Sequence, residues 1–471
     1  MTRMLRALVA IATLVALAPA RAENDHYVLL DSPGTLYSAG ATALPTAPLF
    51  FSSGMVPAPQ DPEAPAGSRE RYGDTFTQAM SALERHRENL AAAGLALDDV
   101  LYVRAYLVRD PEGGDAFDWD GWNRAFAAFF SEGGLDHKPA RTSIGIDRLG
   151  NPDYLIEIEV VAAHEAGAGP WLGGEGSDPA VPNPQLRPFG NPDSRIASGV
   201  AVAPNAPLYF TSGMLADQKD PEAAFGDRAQ RGDMEWQATS ALEKLEANLR
   251  SVGLTFRDVF FLRAMVFPDP LDDGNVDFAG WNRAYSQFFG TAMNPHKPAR
   301  TTMAAPGFNA FNALIEIEVY AAFPDARGQH TRYDEESANP NLIANGDPDS
   351  FLSAGMAVAR HTALTFLSGS VADAEALGDD ADMKAHALSA LETMAARLER
   401  AGLGFEDVIQ LRAYLNVGDD FRTNFGLWNE AYGQYFDNES NPHKPVRTAL
   451  PVVGLPGGSL IEIEAIVASP E

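Results

Sequence analysis

Residues 49–56, LFFSSGMV, run together large apolar and small side chains in the manner of a buried strand, and the pattern then changes period. In DTFTQAMSALERHRENLAAAG (74–94), Phe76, Met80, Leu83 and Leu90 recur near helical spacing, with Asp74 placed to cap the start and Gly94 the end. VLYVRAYLV (100–108) predicts a second buried strand, and DWDGWNRAFAAFF (118–130) a second helix with Trp122, Phe126, Phe129 and Phe130 on one side. RTSIGI (141–146) and YLIEIEVVA (154–162) predict two closing strands around the turn LGNPD. In the last of these, alternation sets Ile156, Ile158 and Val160 on one face and Glu157 and Glu159 on the other.

This strand, helix, strand, helix, strand, strand order is written three times. PLFFSSGMV (48–56) returns as PLYFTSGML (207–215) and ALTFLSGSV (363–371), and GWNRAFAAFF (121–130) as GWNRAYSQFF (280–289) and LWNEAYGQYF (427–436). HKPARTSIGI (137–146) returns as HKPARTTMAA (296–305) and HKPVRTALPV (443–452). From Gly40 to Glu159 the first copy maps onto the second at a constant offset of 159 residues, and the third follows with a few loop deletions. Self-similarity of this kind marks tandem copies of one fold. Residues 165–193 and 324–349 are rich in Gly, Pro, Asn and Asp and read as linkers. The expected organisation is a leader over 1–22, a first repeat over 23–167, linker and second repeat over 168–327, and linker and third repeat over 328–471.

A sheet that covers one face with two helices leaves the other face in need of a partner. Three such units in one chain can bury those faces against one another. A closed pseudo-threefold assembly within a monomer is therefore expected.

The first 22 residues change the setting. Arg3 and Arg6 precede an apolar run over 7–18 and an Ala20-Arg21-Ala22 site, the layout of a secretory signal peptide, with a periplasmic destination expected. No other stretch approaches the roughly 20 apolar residues of a membrane span, so no membrane association is expected after cleavage. The chain has no cysteine, which removes thiol catalysis and cysteine-ligated metal. It carries 35 Lys and Arg against 64 Asp and Glu; loss of three leader arginines gives 32 minus 64, or −32. Nucleic acid is a poor partner for so acidic a protein.

An arginine precedes the first glutamate of each IEIE run: Arg141 and Glu157, Arg300 and Glu316, Arg447 and Glu462. A simple hairpin centred on residue 151 would displace Glu157 from Arg141 by some four residues, roughly 13 Å. An arginine of one repeat meeting a glutamate of its neighbour is the more natural arrangement. For the second glutamates, Glu159, Glu318 and Glu464, the simpler reading is a solvated face. His137, His296 and His443 read as a solvated turn before a strand, since no metal-ligand spacing accompanies them, and no metal site is expected.

Together SSG after a strand, WNxxFxxFF on the second helix, PxRT and IEIE resemble the RidA/YjgF family of reactive-intermediate imine deaminases over essentially the whole chain after the leader. The resemblance implies an α+β, chorismate-mutase-like unit, a mixed sheet with two helices on one face, with ligand clefts between units. Here the family's homotrimer would be an intramolecular pseudo-trimer. It implies that Arg141, Arg300 and Arg447 clamp a substrate carboxylate and that Glu157, Glu316 and Glu462 position water. Ser53, Ser212 and Ser368, with Gly54, Gly213 and Gly369, would wall the clefts, and Asn123, Asn282 and Asn429 would reach them from the second helix. Tyr37 matches a substrate-contacting tyrosine, which Ile196 and Leu352 replace in the other copies. Ser143, Thr302 and Ala449 stand where the family often has cysteine.

The expected activity is hydrolysis of small 2-imino or 2-enamino acids to 2-keto acids and ammonia, with no cofactor. The alternative is a non-catalytic carboxylate-binding or holdase protein on the same scaffold. A cyclic-amide hydrolase is disfavoured because Lys138, Lys297 and Lys444 have no serine at matching positions in all copies.

Overall fold

The computed structural model describes residues 27–30, 40–130, 138–164, 185–189, 195–306, 312–324, 341–345, 353–436 and 444–469, a few positions inside those ranges excepted. Statements below concern these residues. The Tyr37, Leu352, His137 and His443 readings and the leader lie outside them.

Each repeat forms the expected core. In the first, Leu49–Ser52, helix Thr75–Ala92, Val100–Leu107, helix Trp119–Phe130, Ala140–Gly145 and Ile156–Ala163 follow one another. The long helices start where a carboxylate can satisfy an orphan N–H: Asp74, Asp233 and Asp382 accept from the backbones of Thr77, Trp236 and Ala385. Gly94, Gly253 and Gly402 follow their ends at positive φ.

The closing strands do not make the hairpin expected from sequence. Ala140–Gly145 pairs in parallel with one edge of Val100–Leu107, and Ile156–Ala163 pairs antiparallel with the other edge. Arg141 faces Val103 while Glu157 faces Tyr106, so within a repeat they are two strands and three residues apart, about 10 Å in each direction. The other copies repeat this register.

The supposed linkers also carry structure: Leu186–Phe189 and Leu342–Asn345 are strands, each half of a hairpin with Gly199–Val202 or Gly355–Val358. These hairpins join the sheet of the preceding repeat. Gly199–Val202 pairs with Leu49–Ser52, and Gly355–Val358 with Leu208–Thr211. The circle closes at the amino end, where Tyr27–Leu30 and Gly40–Ala43 extend the third repeat's sheet through Ala363–Val371. Each of the three mixed sheets thus draws strands from two repeats.

Three apolar cores lie between sheets and helices, centred on buried Trp122, Trp281 and Trp428. Two more lie between the sheets and are shared by all repeats. One gathers Phe51, Phe210, Phe366 and their neighbours, and the other Tyr106, Met265 and Tyr414. The second glutamates sit in this same inter-sheet interior and are not solvated; Glu159, Glu318 and Glu464 are 3, 0 and 2% exposed.

They are buried because Arg104, Arg263 and Arg412 meet them, projecting from the central strands. Glu159 pairs with Arg104 and Arg263, Glu318 with Arg263 and Arg412, and Glu464 with Arg412 and Arg104. Thr301 and Thr448 donate to Glu159 and Glu318 at 2.8 and 2.7 Å. Three positive and three negative charges close a neutral ring. The arginines hold Glu464 and Glu318 below the usual carboxylate range, against the burial that would raise them.

Candidate active sites between repeats

Each cleft begins with a serine that ties two repeats together. Ser53 Oγ accepts from the Arg300 backbone N–H at 2.8 Å, Ser212 Oγ from that of Arg447 at 2.9 Å, and Ser368 Oγ from that of Arg141 at 2.8 Å. Ser53 and Ser212 in turn donate to the carbonyls of Ala197 and Ser353. The next residue is glycine each time for a steric reason. A Cβ on Gly54, Gly213 or Gly369 would overlap the carboxylate of Glu157, Glu316 or Glu462 respectively. Serine, glycine and glutamate therefore come from one repeat and the arginine from another.

The three constellations are Glu157 with Arg300, Glu316 with Arg447, and Glu462 with Arg141. These glutamates are 6, 6 and 4% exposed, and burial pushes each carboxyl up to about 8, with the facing arginine opposing the shift. Glu318 and Glu464, two residues along the same strands, push Glu316 and Glu462 the same way as burial. An outer oxygen of Glu316 and of Glu462 is buried with no hydrogen-bond partner.

Second-helix side chains orient the guanidinium groups. Arg300 Nη2 donates to Asn282 Oδ1 at 3.0 Å and Arg447 Nη1 to Asn429 Oδ1 at 2.9 Å. Arg141, Arg300 and Arg447 lie over Phe126, Tyr285 and Tyr432 with 4.7, 4.6 and 4.7 Å to the ring centroids, and each also approaches Trp122, Trp281 or Trp428. Burial lowers the pKa of Arg300, to about 10, and of Arg447. Arg300 Nη1 is buried without a protein partner. A planar cation fixed on an aromatic floor suits bidentate contact with a carboxylate.

The copies differ at the next layer. Trp122 and Trp281 donate to Ser143 and Thr302 at 2.8 and 3.1 Å, whereas Ala449 leaves the Trp428 indole N–H without an acceptor. Ile196, at the position of Tyr37, packs half-buried against the second repeat's core. Arg397 donates to the Ser368 and Gly369 carbonyls at 2.7 and 3.1 Å under the Glu462 cleft. His296 is buried, not in a solvated turn; its Nε2 contacts the Val259 carbonyl at 2.6 Å, and burial lowers its pKa to about 4. Among the described residues no cluster suited to a metal ion is found.

An open depression of about 690 Å³ on the first repeat, lined by Arg69, Asp74, Asp110 and Asp118 among others, contains none of these cleft residues. The Arg104, Arg263 and Arg412 ring was missed in sequence. Its signal was an arginine at the same point of an otherwise apolar strand in every copy.

Comparison with known proteins gives the same division into three. The family described as Endoribonuclease L-PSP matches residues 32–164, 198–323 and 353–469. A RutC family protein of Pyrococcus horikoshii is 41% identical over 85 residues, 18% of this chain and 61% of that protein. An Escherichia coli protein named "Putative reactive intermediate deaminase TdcF" is 33% identical over 104 residues, covering 22% of this chain and 77% of its own. The crystal structure of E. coli TdcF with bound serine is similar at 30% identity, spanning 22% of this chain and 80% of the other, with a TM-score of 0.20. The chain belongs to the Endoribonuclease L-PSP, or RidA/YjgF, family and carries its unit three times.

Proposed function

We propose that the chain is an exported deaminase that hydrolyses small 2-imino and 2-enamino acids to 2-keto acids and ammonia at its inter-repeat clefts. One observation carries this reading: in all three clefts a buried carboxyl rests against a glycine and faces a neighbouring repeat's arginine on an aromatic floor. The reaction class agrees with the name of the relative TdcF. The acidic net charge weighs against RNA as substrate. Export rests on the leader-like first 22 residues.

The imine carbon of a 2-imino acid is already electrophilic, so the work left to the protein is positioning and proton transfer. Arg141, Arg300 or Arg447 holds the substrate carboxylate. The paired glutamate, protonated near neutrality, gives its proton to the imine nitrogen and as carboxylate then orients the attacking water. Water oxygen bonds to C2, the carboxylate takes its proton, and that proton passes to the amine. The C–N bond breaks as the carbinolamine hydroxyl gives its proton to the carboxylate, which releases ammonia and the keto acid and restores the protonated glutamate.

The test is keto-acid release from imino acids generated in situ by an amino-acid oxidase, with semicarbazide trapping unhydrolysed imine. The protein should accelerate release, and the Arg141→Ala, Arg300→Ala, Arg447→Ala variant should lose about 100-fold or more while remaining folded. Absence of acceleration across several imino acids would contradict the enzymatic reading and leave a carboxylate-binding protein on this scaffold.

A further inference from the structure

The second repeat buries an arginine that no cleft uses. Arg231 ends the short helix Arg228–Arg231, and its side chain is 1% exposed. Its Nη1 meets Asp269 at 3.4 Å, while Arg228 holds the same carboxylate more closely, at 2.6 Å. Nε and Nη2 of Arg231 are buried with no hydrogen-bond partner among the described residues. These two N–H groups lie on one edge of the guanidinium and point the same way, which is the edge that takes two oxygens of one oxyanion. A cation buried with so distant a counter-charge is costly, and an anion on that edge offsets the cost.

The first repeat supplies the comparison, because the same frame surrounds the place. Gln78 Oε1 accepts from the Leu155 N–H and Gln237 Oε1 from the Leu314 N–H, both at 2.8 Å. Within that frame, at the offset of 159, Tyr72, Glu112 and Tyr154 become Arg231, Leu271 and Ala313. In the first repeat the Tyr72 and Tyr154 rings meet edge to face at 5.2 Å, and Arg69 pairs with both Asp110 and Glu112. A cavity of about 70 Å³ opens there, lined by Tyr72, Gln78, Asp110, Glu112 and Leu155 among others. All three exchanges run in one direction: a guanidinium is gained, a carboxylate is lost, and a ring gives way to a methyl group. One arginine between two carboxylates becomes two arginines sharing one.

We propose that Arg231 anchors an oxyanion site in the second repeat, outside the clefts, which takes a small carboxylate, phosphate or sulfate bidentately on Nε and Nη2. Ala313, in place of the Tyr154 ring, leaves the room for it. The site is independent of the deaminase reading, since it contains no cleft arginine or glutamate. It belongs to the second repeat and has no counterpart at Tyr72 in the first.

Calorimetric titration of the whole protein with inorganic phosphate, sulfate and acetate near neutral pH tests it. At least one of the three should bind at a site, one per chain, whose affinity falls about ten-fold or more in Arg231→Met and is kept in the cleft variant Arg300→Ala. Arg231→Lys keeps the charge but not the paired donors, and should bind more weakly than the wild type. The double variant Arg231→Tyr with Ala313→Tyr installs the first repeat's own pair and should show the same loss, which decides the matter should Arg231→Met fail to fold. Phosphate and sulfate bound in preference to acetate assign the site to tetrahedral oxyanions, the reverse order assigns it to carboxylates, and either supports it. If none of the three binds, or if binding is unchanged in Arg231→Met and in the double variant, the site is overturned.

Discussion

Glu157, Glu316 and Glu462 hold their protons near neutrality because each is buried against glycine, and the facing arginine, joined by Arg397 at Glu462, only partly offsets the loss of water. A carboxyl with a pKa near 8 can both give and take a proton at neutral pH, which the hydrolysis requires. The sign follows directly. Above about pH 8 the free enzyme loses the proton it must donate, so kcat/KM should fall about ten-fold per pH unit there. The measurement is kcat/KM against pH on an imino acid whose own titration is corrected for, and a profile level through pH 9 would exclude the glutamate as proton donor. The same shift affects folding. The native state holds protons that the unfolded chain has released, so this contribution to stability is full below about pH 4.5 and is lost as pH rises through about 8.

At the scale of elements, strands with strong periodicity were legible and their partners were not. Alternation set Ile156, Ile158 and Val160 on one face, which packs against the helices, yet gave no means of telling whether Glu157 and Glu159 faced water or another sheet. The PART and YLIE strands looked like a hairpin because they are close in sequence; the central strand Val100–Leu107 intervenes because it can pair on both edges. Leu186–Phe189 and Leu342–Asn345 were hidden by their Gly- and Pro-rich surroundings, and the hairpin each forms with Gly199–Val202 or Gly355–Val358 is held through that second strand by the neighbouring repeat. Helix-to-strand contacts also diverge between copies. Trp428 on helix Phe421–Tyr432 lacks the acceptor that Ser143 and Thr302 supply elsewhere, because Ala449 stands on the facing strand. Ala449→Ser should therefore stabilise the protein by about 1 kcal/mol, read as a raised unfolding midpoint in urea, while Ala449→Val should not.

At the scale of the molecule, two devices convert three units into one body. The hairpins pass from each sheet to the one before, and the amino-terminal pair closes the circle on the third. Inside, the ring of Arg104, Arg263 and Arg412 with Glu159, Glu318 and Glu464 makes every repeat depend on charges from both others. Removing one member of such a ring leaves a buried charge uncompensated, at about 3–5 kcal/mol, so the ring opposes any arrangement in which a unit slips or leaves. The sequence motif that names the family was legible three times over; the ring that unites the copies required knowing that three apolar strands met at one axis.

Because each cleft takes its glutamate and its arginine from different repeats, paired substitutions distinguish cleft membership from repeat membership. The most direct measurement is keto-acid release by two double variants. Arg300→Ala with Glu157→Gln disables one cleft and should be no slower than the slower single variant. Arg300→Ala with Glu316→Gln, both in the second repeat, disables two clefts and should lose the contributions of both. If instead the pair within the repeat behaves as one site and the pair across repeats as two, the inter-repeat clefts are not the sites of reaction.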